Sequence, residues 1–396
     1  MVLDDICTLI ADCPHSTAPD EGIGYPLIRT PNIGRARFSL NGVHRVSSQV
    51  YEQRNKRAAP QDDDIIFARE APAGNAAIIK NGEKYCLGQR TVLIRPNSRK
   101  VNPDFLVYYL LAPEQQHKLL STAHGATVSH VNITDIHKMN VDNLPKLESQ
   151  KKIADILCAY DDLIENNQKQ NKLLEEAARR LYKEWFIDLH FPGYENTPIH
   201  DGVPEGWHKY PFSEKVSVMS GGTPKTDVKE FYGGSIPFFS PKDHNGMFFA
   251  YTAALRITEA GLANCNSPLY PQNTIIITAR GTVGKTVLLA VPMAMNQSCY
   301  ALKSNELDLP YYLFFALNSE VQKLKAMSNG GVFDTIIVKT FDNIQITIPS
   351  DETAIKFEAM VTPIMEQIKT KMRENMLLTE ARDRLLPKLM SGEIEV

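Results

Sequence analysis

Hydrophobic positions recur at alternating spacings of three and four over two long stretches of this chain. The first stretch, from Ser149 to Phe186, contains no Gly or Pro, which predicts one helix of roughly 55 Å at 1.5 Å per residue. Its stripe runs through Leu157, Tyr160, Ile164, Asn167, Asn171, Leu174, Ala178, Leu181 and Trp185. A second stripe with the same spacing runs through Val361, Ile364, Ile368, Lys371, Asn375, Leu378, Arg382, Leu385 and Leu389.

This spacing predicts a coiled-coil seam, and the polar centre of each stripe is typical of a seam whose register is fixed by buried Asn. An amphipathic helix lying on its own globular part is the alternative. Because the polar centre falls at the same place in both stripes, we favour antiparallel pairing of the two helices. The residues expected to pair them are Leu157, Ile164, Asn171, Leu174, Leu181, Ile364, Ile368, Asn375, Leu378 and Leu385.

The two stretches are copies of one segment. Residues 171–181 and 375–385 are identical at seven of eleven positions with a fixed offset of 204. The duplication extends upstream: YYL at 108–110 recurs at 311–313, the Gly125 region recurs at Gly330, and 65–79 aligns with 275–289. Self-similarity of this kind indicates one structural unit used twice.

The remainder of each copy predicts a globular lobe. Short apolar runs at 62–70, 91–96, 273–280 and 299–304 predict strands. Helices that begin near a proline are predicted at 103–112 and 309–318, each followed by a Gly turn and a further strand ending near Pro145 and Pro349.

The predicted fold is mixed α/β. Two globular lobes are separated by two long helices that form an antiparallel coiled coil, in a pseudo-two-fold internal repeat. The predicted division is lobe 1–147, helix 148–188, linker 189–206, lobe 207–350 and helix 351–396.

Composition is that of an ordinary globular protein, with 43% hydrophobic residues. No apolar run is long enough to span a membrane, and the N-terminus carries acids where a signal peptide carries bases. The six cysteines form no CxxC pair, as expected of reduced thiols. A cytoplasmic protein without membrane contact is therefore predicted.

The net charge of −3 is unevenly distributed. Lys and Arg outnumber Asp and Glu by fourteen to eight over 20–100 and by nine to five over 207–305, whereas the helices are near neutral. Basic lobes supply the phosphate-binding part of nucleic-acid recognition, although scattered surface charge would give the same counts.

Motifs for catalysis are incomplete. The run Gly281–Thr286 (GTVGKT) is similar to a phosphate-binding loop, but Ala279 stands where that loop needs its first Gly. Residues 266–270 lack the second proline of a methyltransferase motif. The acidic residues at 62–64 fit a polar turn before a strand better than they fit a nuclease site. Cys7, Cys13 and His15 lack a fourth ligand at zinc-site spacing. We therefore predict neither a catalytic nor a metal site.

Several blocks resemble the conserved regions of type I restriction-modification specificity subunits. They are the helical block 153–186, VPEGW at 203–207 and LLPKLMSGEI at 385–394. Target-recognition domains of that family are similar to DCPHSTAP at 12–19, REAPAG at 69–74 and CLGQRTVLIRP at 86–96, and to SGGTPK at 220–225 with GGSIPFFSPKD at 233–243. The first lobe lacks the PEGW lead-in of the second, so we expect its N-terminal edge to be closed differently.

The resemblance implies a non-catalytic reader of double-stranded DNA. Each lobe would be a target-recognition domain for one part of a split, asymmetric sequence, and the helices would set the spacing and dock two modification subunits. Those subunits would use S-adenosylmethionine, and restriction subunits that join the complex would use ATP and Mg. This chain itself is expected to bind no cofactor.

The major groove is read mainly by Arg on guanine and by Asn or Gln on adenine, so residues of these types in the polar loops of both lobes are the candidate DNA contacts. Arg69 and Arg280 each stand just before the Gly turn that the two lobes share. The candidates in the first lobe are Arg29, Asn32, Arg35, Arg69, Gln89 and Arg90. Those in the second are Lys242, Asp243, Arg280, Lys285, Asn296 and Gln297.

Two rival functions remain at this stage. One is an enzyme, either a P-loop ATPase or a fused methyltransferase, which would show ATP hydrolysis or methyl transfer alone. The other is a coiled-coil scaffold, which would select no sequence from random duplexes.

Overall fold

The structure is a computed structural model that describes residues 1–121, 130–305, 308–327 and 336–396. It divides into two compact units, unit 1 (Met1–Asn166 with Glu374–Val396) and unit 2 (Asn167–Arg373). The sequence match between Gly125 and Gly330 lies outside the described residues.

The first half of the chain contains eight strands and five α-helices among its described residues. The strands are β1 Cys7–Asp12, β2 Tyr25–Ile28, β3 Arg35–Ala36, β4 His44–Val46, β5 Ile65–Ala68, β6 Ala76–Ile78, β7 Cys86–Leu87 and β8 Thr91–Pro96. The helices are α1 Ser48–Arg54, α2 Pro103–Leu111, α3 Pro113–Ser121, α4 Ile133–His137 and α5 Leu147–Phe186.

The second half repeats this order with additions. Its strands are β9 Ile199–His200, β10 Val203–Pro204, β11 His208–Pro211, β12 Val216–Ser220, β13 Tyr232–Phe239, β14 Phe249–Ala250, β15 Leu255–Ile257, β16 Ile275–Thr278, β17 Thr286–Leu289, β18 Ala294–Met295, β19 Cys299–Ser304 and β20 Gln345–Ile348. Its helices are α6 Phe212–Lys215, α7 Glu259–Ala263, α8 Pro310–Met327, α9 Val338–Asp342 and α10 Asp351–Ser391.

Each unit is built on a five-stranded sheet, ordered β1-β8-β5-β6-β3 in unit 1 and β12-β19-β16-β17-β14 in unit 2. The central strands β5 and β16 pair antiparallel with both neighbours. A three-stranded sheet accompanies each, β4-β2-β7 and β15-β13-β18. The predicted repeat and mixed α/β class are confirmed by this shared topology.

Alternating side chains of the central strands enter different clusters. In unit 1, Ile65 and Phe67 pack with helix α2, while Ile66 and Ala68 pack with Ile28 and the small sheet. Both faces of β5 are therefore buried, which explains its continuous apolar sequence.

Helix α2 begins where the proline predicted it. Asn102 accepts a hydrogen bond from the Phe105 N–H at 2.9 Å, and Pro103 occupies the first turn. Its eight buried residues pack beneath the five-stranded sheet of unit 1.

The further strand predicted near Pro349 is β20, which pairs with β11. The equivalent strand near Pro145 is not present among the described residues, so that prediction was wrong. In unit 1 the pairing is reduced to one isolated bridge between Val2 and Asn140. A 3-10 helix, Leu3–Ile6, begins directly after Val2, so the extended backbone does not continue beyond this bridge.

Within unit 1, the first part of α5 packs against the last part of α10. Leu157 is buried with Leu386 and Leu389, and Leu385 packs against the same cluster. The Asn375 side chain donates to the Ile164 main-chain carbonyl at 3.2 Å. These contacts run antiparallel, as predicted.

The same packing in unit 1 contains a buried ion pair. Arg382 Nη1 donates to Asp161, and the two side chains are 10% and 3% exposed. The Tyr108 hydroxyl donates to the other Asp161 oxygen at 2.5 Å. Burial and this carboxylate raise the pKa of Tyr108, so its hydroxyl remains a donor.

Within unit 2, the last part of α5 packs against the first part of α10. The rings of Tyr182, Trp185 and Phe186 lie against Phe357 with centroids 6.0, 5.9 and 5.0 Å away. Ile368 is fully buried, and Leu174, Leu181 and Ile364 pack against the same cluster.

The polar centre of the seam is buried as well. Lys371 donates to Asn167 at 3.4 Å. Asn171 is fully buried, and neither of its side-chain polar atoms has a hydrogen-bond partner among the described residues. Leu378 in unit 1 is half-buried. Register is therefore fixed by a mixture of amide, ammonium and main-chain groups.

The predicted linker, 189–206, carries structure of its own. Strands β9 and β10 form a short hairpin in it. Phe191 is buried against Trp207 with ring centroids 4.8 Å apart. This segment therefore extends the core of unit 2.

Candidate nucleic-acid interface

Three loops meet at the ends of the unit 1 strands. Strands β2 and β7 run parallel, and the Gly88 N–H after β7 donates to the Ile28 carbonyl at 2.8 Å. The Arg69 N–H after β5 donates to the Arg90 carbonyl at 2.9 Å. We call residues 29–32, 69–74 and 88–90 the loop face of unit 1.

Unit 2 repeats these contacts. Strands β13 and β18 run parallel, and the Asn296 N–H donates to the Phe239 carbonyl at 2.9 Å. The Ala279 N–H donates to the Ser298 carbonyl at 2.7 Å. Residues 240–243, 279–285 and 296–298 form the loop face of unit 2, so eleven of the twelve predicted DNA-binding residues lie on one of the two loop faces. Arg35 lies outside them in β3, where its Nη2 donates to the Leu111 carbonyl at 3.3 Å, and Lys285 ends the unit 2 hairpin loop.

Asn32 and Asp243 occupy equivalent positions and both fold back onto the main chain. Asn32 Oδ1 accepts from the Arg29 N–H at 3.1 Å, and Asp243 Oδ2 accepts from the Ser240 N–H at 2.8 Å. Each closes a short 3-10 helix. Asn32 also donates to the Ser39 carbonyl, and Asp243 accepts from the Ala254 N–H. In both residues, the side-chain hydrogen bonds stabilise the loop's own main chain.

Gln89 and Gln297 form a second equivalent pair. Gln89 donates to the Thr17 hydroxyl at 2.6 Å, and Gln297 is hydrogen-bonded to the Thr223 hydroxyl. Sequence reasoning missed the two threonines as part of the site. The sequence did indicate that these threonines lie in loops, because each belongs to a polar block, 12–19 or 220–225, that is rich in Pro or Gly.

Arg69 and Arg280 both precede a Gly turn but are not equivalent positions in the structure. The main-chain contacts align Arg69 with Ala279 and Glu70 with Arg280. Arg69 is buried, and its guanidinium donates to Asp12 at 2.8 Å and to the Val131 carbonyl at 2.9 Å. Arg280 is exposed. The arginine before the Gly turn is therefore a buried cation in unit 1 and, one position later, a surface cation in unit 2.

Cations accessible on the loop faces are Arg90 in unit 1 and Lys242, Arg280 and Lys285 in unit 2. Arg29 is half-buried, and its Nε is buried without a hydrogen-bond partner among the described residues. Asn296 accepts from the Ser298 N–H at 3.0 Å, which shapes its own turn.

The GTVGKT run is a hairpin loop. It joins β16 to the antiparallel strand β17, and the Gly284 N–H donates to the Thr278 carbonyl at 2.8 Å. A phosphate-binding loop leads into a helix whose N-terminus faces the phosphate. The loop here leads into a strand, so the rejection of a P-loop from the sequence agrees with the structure.

Burial raises the pKa of Cys7 and of Cys299 to about 12, so these side chains are thiols at neutral pH. Among the described residues, no group of three His, Cys, Asp or Glu side chains could hold a metal ion. No helix in the described part of the chain has the length and apolarity needed to cross a membrane.

Two copies of one sheet-and-loop frame, each tied to the same two long helices, define an internally duplicated protein with two equivalent loop faces. The family of the type I restriction modification DNA specificity domain matches residues 1–176 and 204–371. The chain belongs to this family, and it is a DNA sequence-specificity subunit of a type I restriction-modification system.

Individual relatives are similar over most of their length. The HindI specificity subunit of Haemophilus influenzae is 26% identical, over 85% of this chain and 88% of the relative. The MjaIX specificity subunit of Methanocaldococcus jannaschii is 27% identical, over 91% of this chain and 84% of the relative. The crystal structure of a type I S subunit from M. genitalium has the same fold, with a TM-score of 0.59, 16% identity and coverage of 98% of this chain and 95% of that one.

Proposed function

We propose that each unit reads one part of a bipartite, asymmetric double-stranded DNA site through its loop face. The observation that carries this proposal is the pair of loop faces, which share main-chain contacts and differ in side chains. Shared contacts keep the loops at the ends of the strands, and different side chains allow different sequences to be read. Exposed Arg90 in unit 1 and exposed Lys242, Arg280 and Lys285 in unit 2 supply candidate contacts.

The chain acts in this proposal without catalysing a reaction. Two modification subunits would methylate adenine with S-adenosylmethionine, and restriction subunits would use ATP and Mg, all in the cytoplasm. This chain would bind none of these cofactors.

The long helices offer matched surfaces for two identical partners. Leu173 in unit 2 and Leu377 in unit 1 are equivalent in the repeat and are 66% and 56% exposed. Beside each lies an exposed salt bridge, Glu176 with Arg180 and Glu380 with Arg384. Packing within the chain does not require exposed residues to be identical. Their repetition supports one modification subunit on each copy.

Mapping of methylated adenines tests the proposed reading of DNA. The chain is coexpressed with its modification subunits, and methylated positions are located across a genome. The expected result is one split sequence with an unread interval of constant length. Methylation without sequence preference, or at one continuous sequence, would contradict the proposal.

Docking is tested by charging one repeated surface at a time. Leu173→Asp and Leu377→Asp should each lower the number of bound modification subunits from two to one, measured by native mass spectrometry. Leu163→Asp is the matched control, because Leu163 is exposed on α5 but has Gln367 as its counterpart. Two bound subunits in both leucine variants would place docking elsewhere.

A further inference from the structure

A chain of polar contacts joins the interior of unit 1 to its loop face. It begins at Asp12, which accepts from Arg69 Nη1 at 2.8 Å. Arg69 Nη2 contacts His130 Nε2 at 2.8 Å, and His130 Nδ1 contacts Glu70 at 2.6 Å. Glu70 Oε2 then lies 3.0 Å from Arg90 Nε. The chain therefore ends on an exposed arginine.

Donor and acceptor chemistry fixes the direction of each link. A guanidinium can only donate, so His130 Nε2 accepts from Arg69 and its Nδ1 carries the proton that Glu70 accepts. Each Glu70 oxygen then has its own partner, His130 on one side and Arg90 on the other. The carboxylate is held in one orientation, and it forms an ion pair with the Arg90 guanidinium in turn.

Arg90 is placed to present the far edge of its guanidinium. The side chain is 56% exposed, and Glu70 is the partner that the described residues supply to it. Glu70 contacts Nε, so the two terminal Nη groups are left to form a fork for an acceptor outside the chain. A planar fork of this kind matches O6 and N7 of guanine in the major groove.

We infer that Arg90, oriented by Glu70, reads a guanine in the half-site recognised by unit 1. This inference rests on the proposed function. Glu70, His130 and Arg69 act as positioning residues behind it. Unit 2 lacks the arrangement, since the positions equivalent to Arg69, Glu70 and Arg90 are Ala279, Arg280 and Ser298. The guanine contact therefore belongs to one half-site.

Variants in the complex with modification subunits test the inference. Arg90→Gly removes the side chain without backbone strain, because φ at this position is 65° and glycine adopts that region freely. Arg90→Lys keeps the charge and loses the fork. Both should lower discrimination at one G·C pair of one half-site by about 10- to 100-fold, measured as methylation rates on a panel of single-base variants. The other half-site should remain unchanged.

Glu70→Gln tests the orienting role. It should lower discrimination at the same base pair by a smaller factor and leave every other position as in the wild type. Arg99→Ala is the matched control, because Arg99 is an exposed arginine at the opposite end of β8 from Arg90. It should not alter discrimination at any position.

Three outcomes would overturn the inference. One is an equal fall in methylation of every sequence in Arg90→Gly with recovery in Arg90→Lys, which is the behaviour of a phosphate contact. Another is unaltered discrimination in both Arg90 variants. The third is wild-type discrimination in Glu70→Gln, which would show that Glu70 does not orient Arg90. Failure of the proposed function is distinguishable, because the wild-type complex itself would then recognise no split sequence.

Discussion

Glu358 shows how one half-buried carboxylate can cap a helix of the recognition unit. Its two oxygens accept from the Tyr311 and Tyr312 N–H groups at 3.1 and 3.0 Å, at the first turn of α8. Negative charge is favourable at that end of a helix. Burial nevertheless dominates and raises the pKa of Glu358 to about 7.

The raised pKa predicts a pH dependence of stability. Between its usual pKa of 4.5 and about 7, the folded protein holds a proton that the unfolded chain has released. The contribution of Glu358 to folding should therefore weaken as pH rises through this window, by at most about 1.4 kcal/mol per unit. The check is the difference in free energy of unfolding between wild type and Glu358→Gln at pH 5 and pH 7.5.

A control for this measurement lies on the same helix. Glu352 is exposed, and its hydrogen bond to Lys356 lowers the pKa of that carboxyl. Glu352→Gln should give a small effect of opposite sign. A difference in free energy of unfolding between wild type and Glu358→Gln that is the same at both pH values would contradict this prediction.

Residue types in loops were visible in the sequence, but their partners were not. Arg69 looked like a DNA contact because it is a cation at a strand end. Its burial depends on Asp12, 57 residues earlier, and on His130, 61 residues later. Asn32 and Asp243 looked like base readers because a polar side chain in a loop has the same sequence signal whether it faces outward or caps its own turn.

At the scale of elements, equivalent buried positions on the long helices are charged in unit 1 and apolar in unit 2. In unit 1, Asp161 and Arg382 form a buried ion pair. The equivalent residues in unit 2, at an offset of 204, are Met365 and Ala178, and both are fully buried in the hydrophobic cluster. Removal of one member of a buried pair is costly, whereas apolar replacement of both is often neutral.

This difference predicts a strongly non-additive pair of substitutions. Arg382→Ala alone should destabilise unit 1 by about 3–5 kcal/mol, since it leaves the buried Asp161 carboxylate without its counter-charge. Asp161→Met alone should cost less, because Arg382 keeps Asp383 as a partner at 2.8 Å. The double variant should cost much less than the sum, because it installs the residues that unit 2 already uses. Urea unfolding of the four proteins measures the coupling. If the double variant loses as much stability as the two single variants together, the two side chains are not energetically coupled, and the prediction is wrong.

Periodicity allowed the elements themselves to be predicted. The helices α5 and α10 and the strands β5, β8, β16 and β19 follow from spacing and apolar runs. The small sheets were missed, since β7 and β18 have two residues each and form by parallel pairing with distant strands. Short strands of that kind have no periodic signal.

At the scale of the whole molecule, duplication predicts modular recognition. Exchange of residues 207–350 for the matching segment of a relative should change one part of the recognised sequence and leave the other part intact. Methylation mapping of the hybrid is the measurement, and the reciprocal exchange of 1–147 is its control. Altered recognition of both parts in either hybrid would mean that the units share one reading surface.

The proposed role of the helices in spacing gives another test. A four-residue insertion adds about 6 Å to a helix, or one to two base pairs of ~3.4 Å each. It must be made in both helices, after Asn166 and after Arg373, because contacts such as Asn375 to Ile164 and Lys371 to Asn167 fix the register on either side. The recognised sequences should stay the same while the unread interval lengthens. Methylation at the original interval would assign the spacing to the docked subunits.

The buried ion pair also bears on how such genes can recombine. Asp161 and Arg382 are 221 residues apart, and the whole of 207–350 lies between them. A crossover inside 189–206 with a relative that lacks the pair would separate the two charges, and the hybrid that keeps Asp161 would hold a buried carboxylate without its counter-charge. Paired crossovers that bracket 207–350 would transfer a recognition segment and keep both charges in one gene. New specificities should therefore spread in populations as internal cassettes, while the two helices are inherited together.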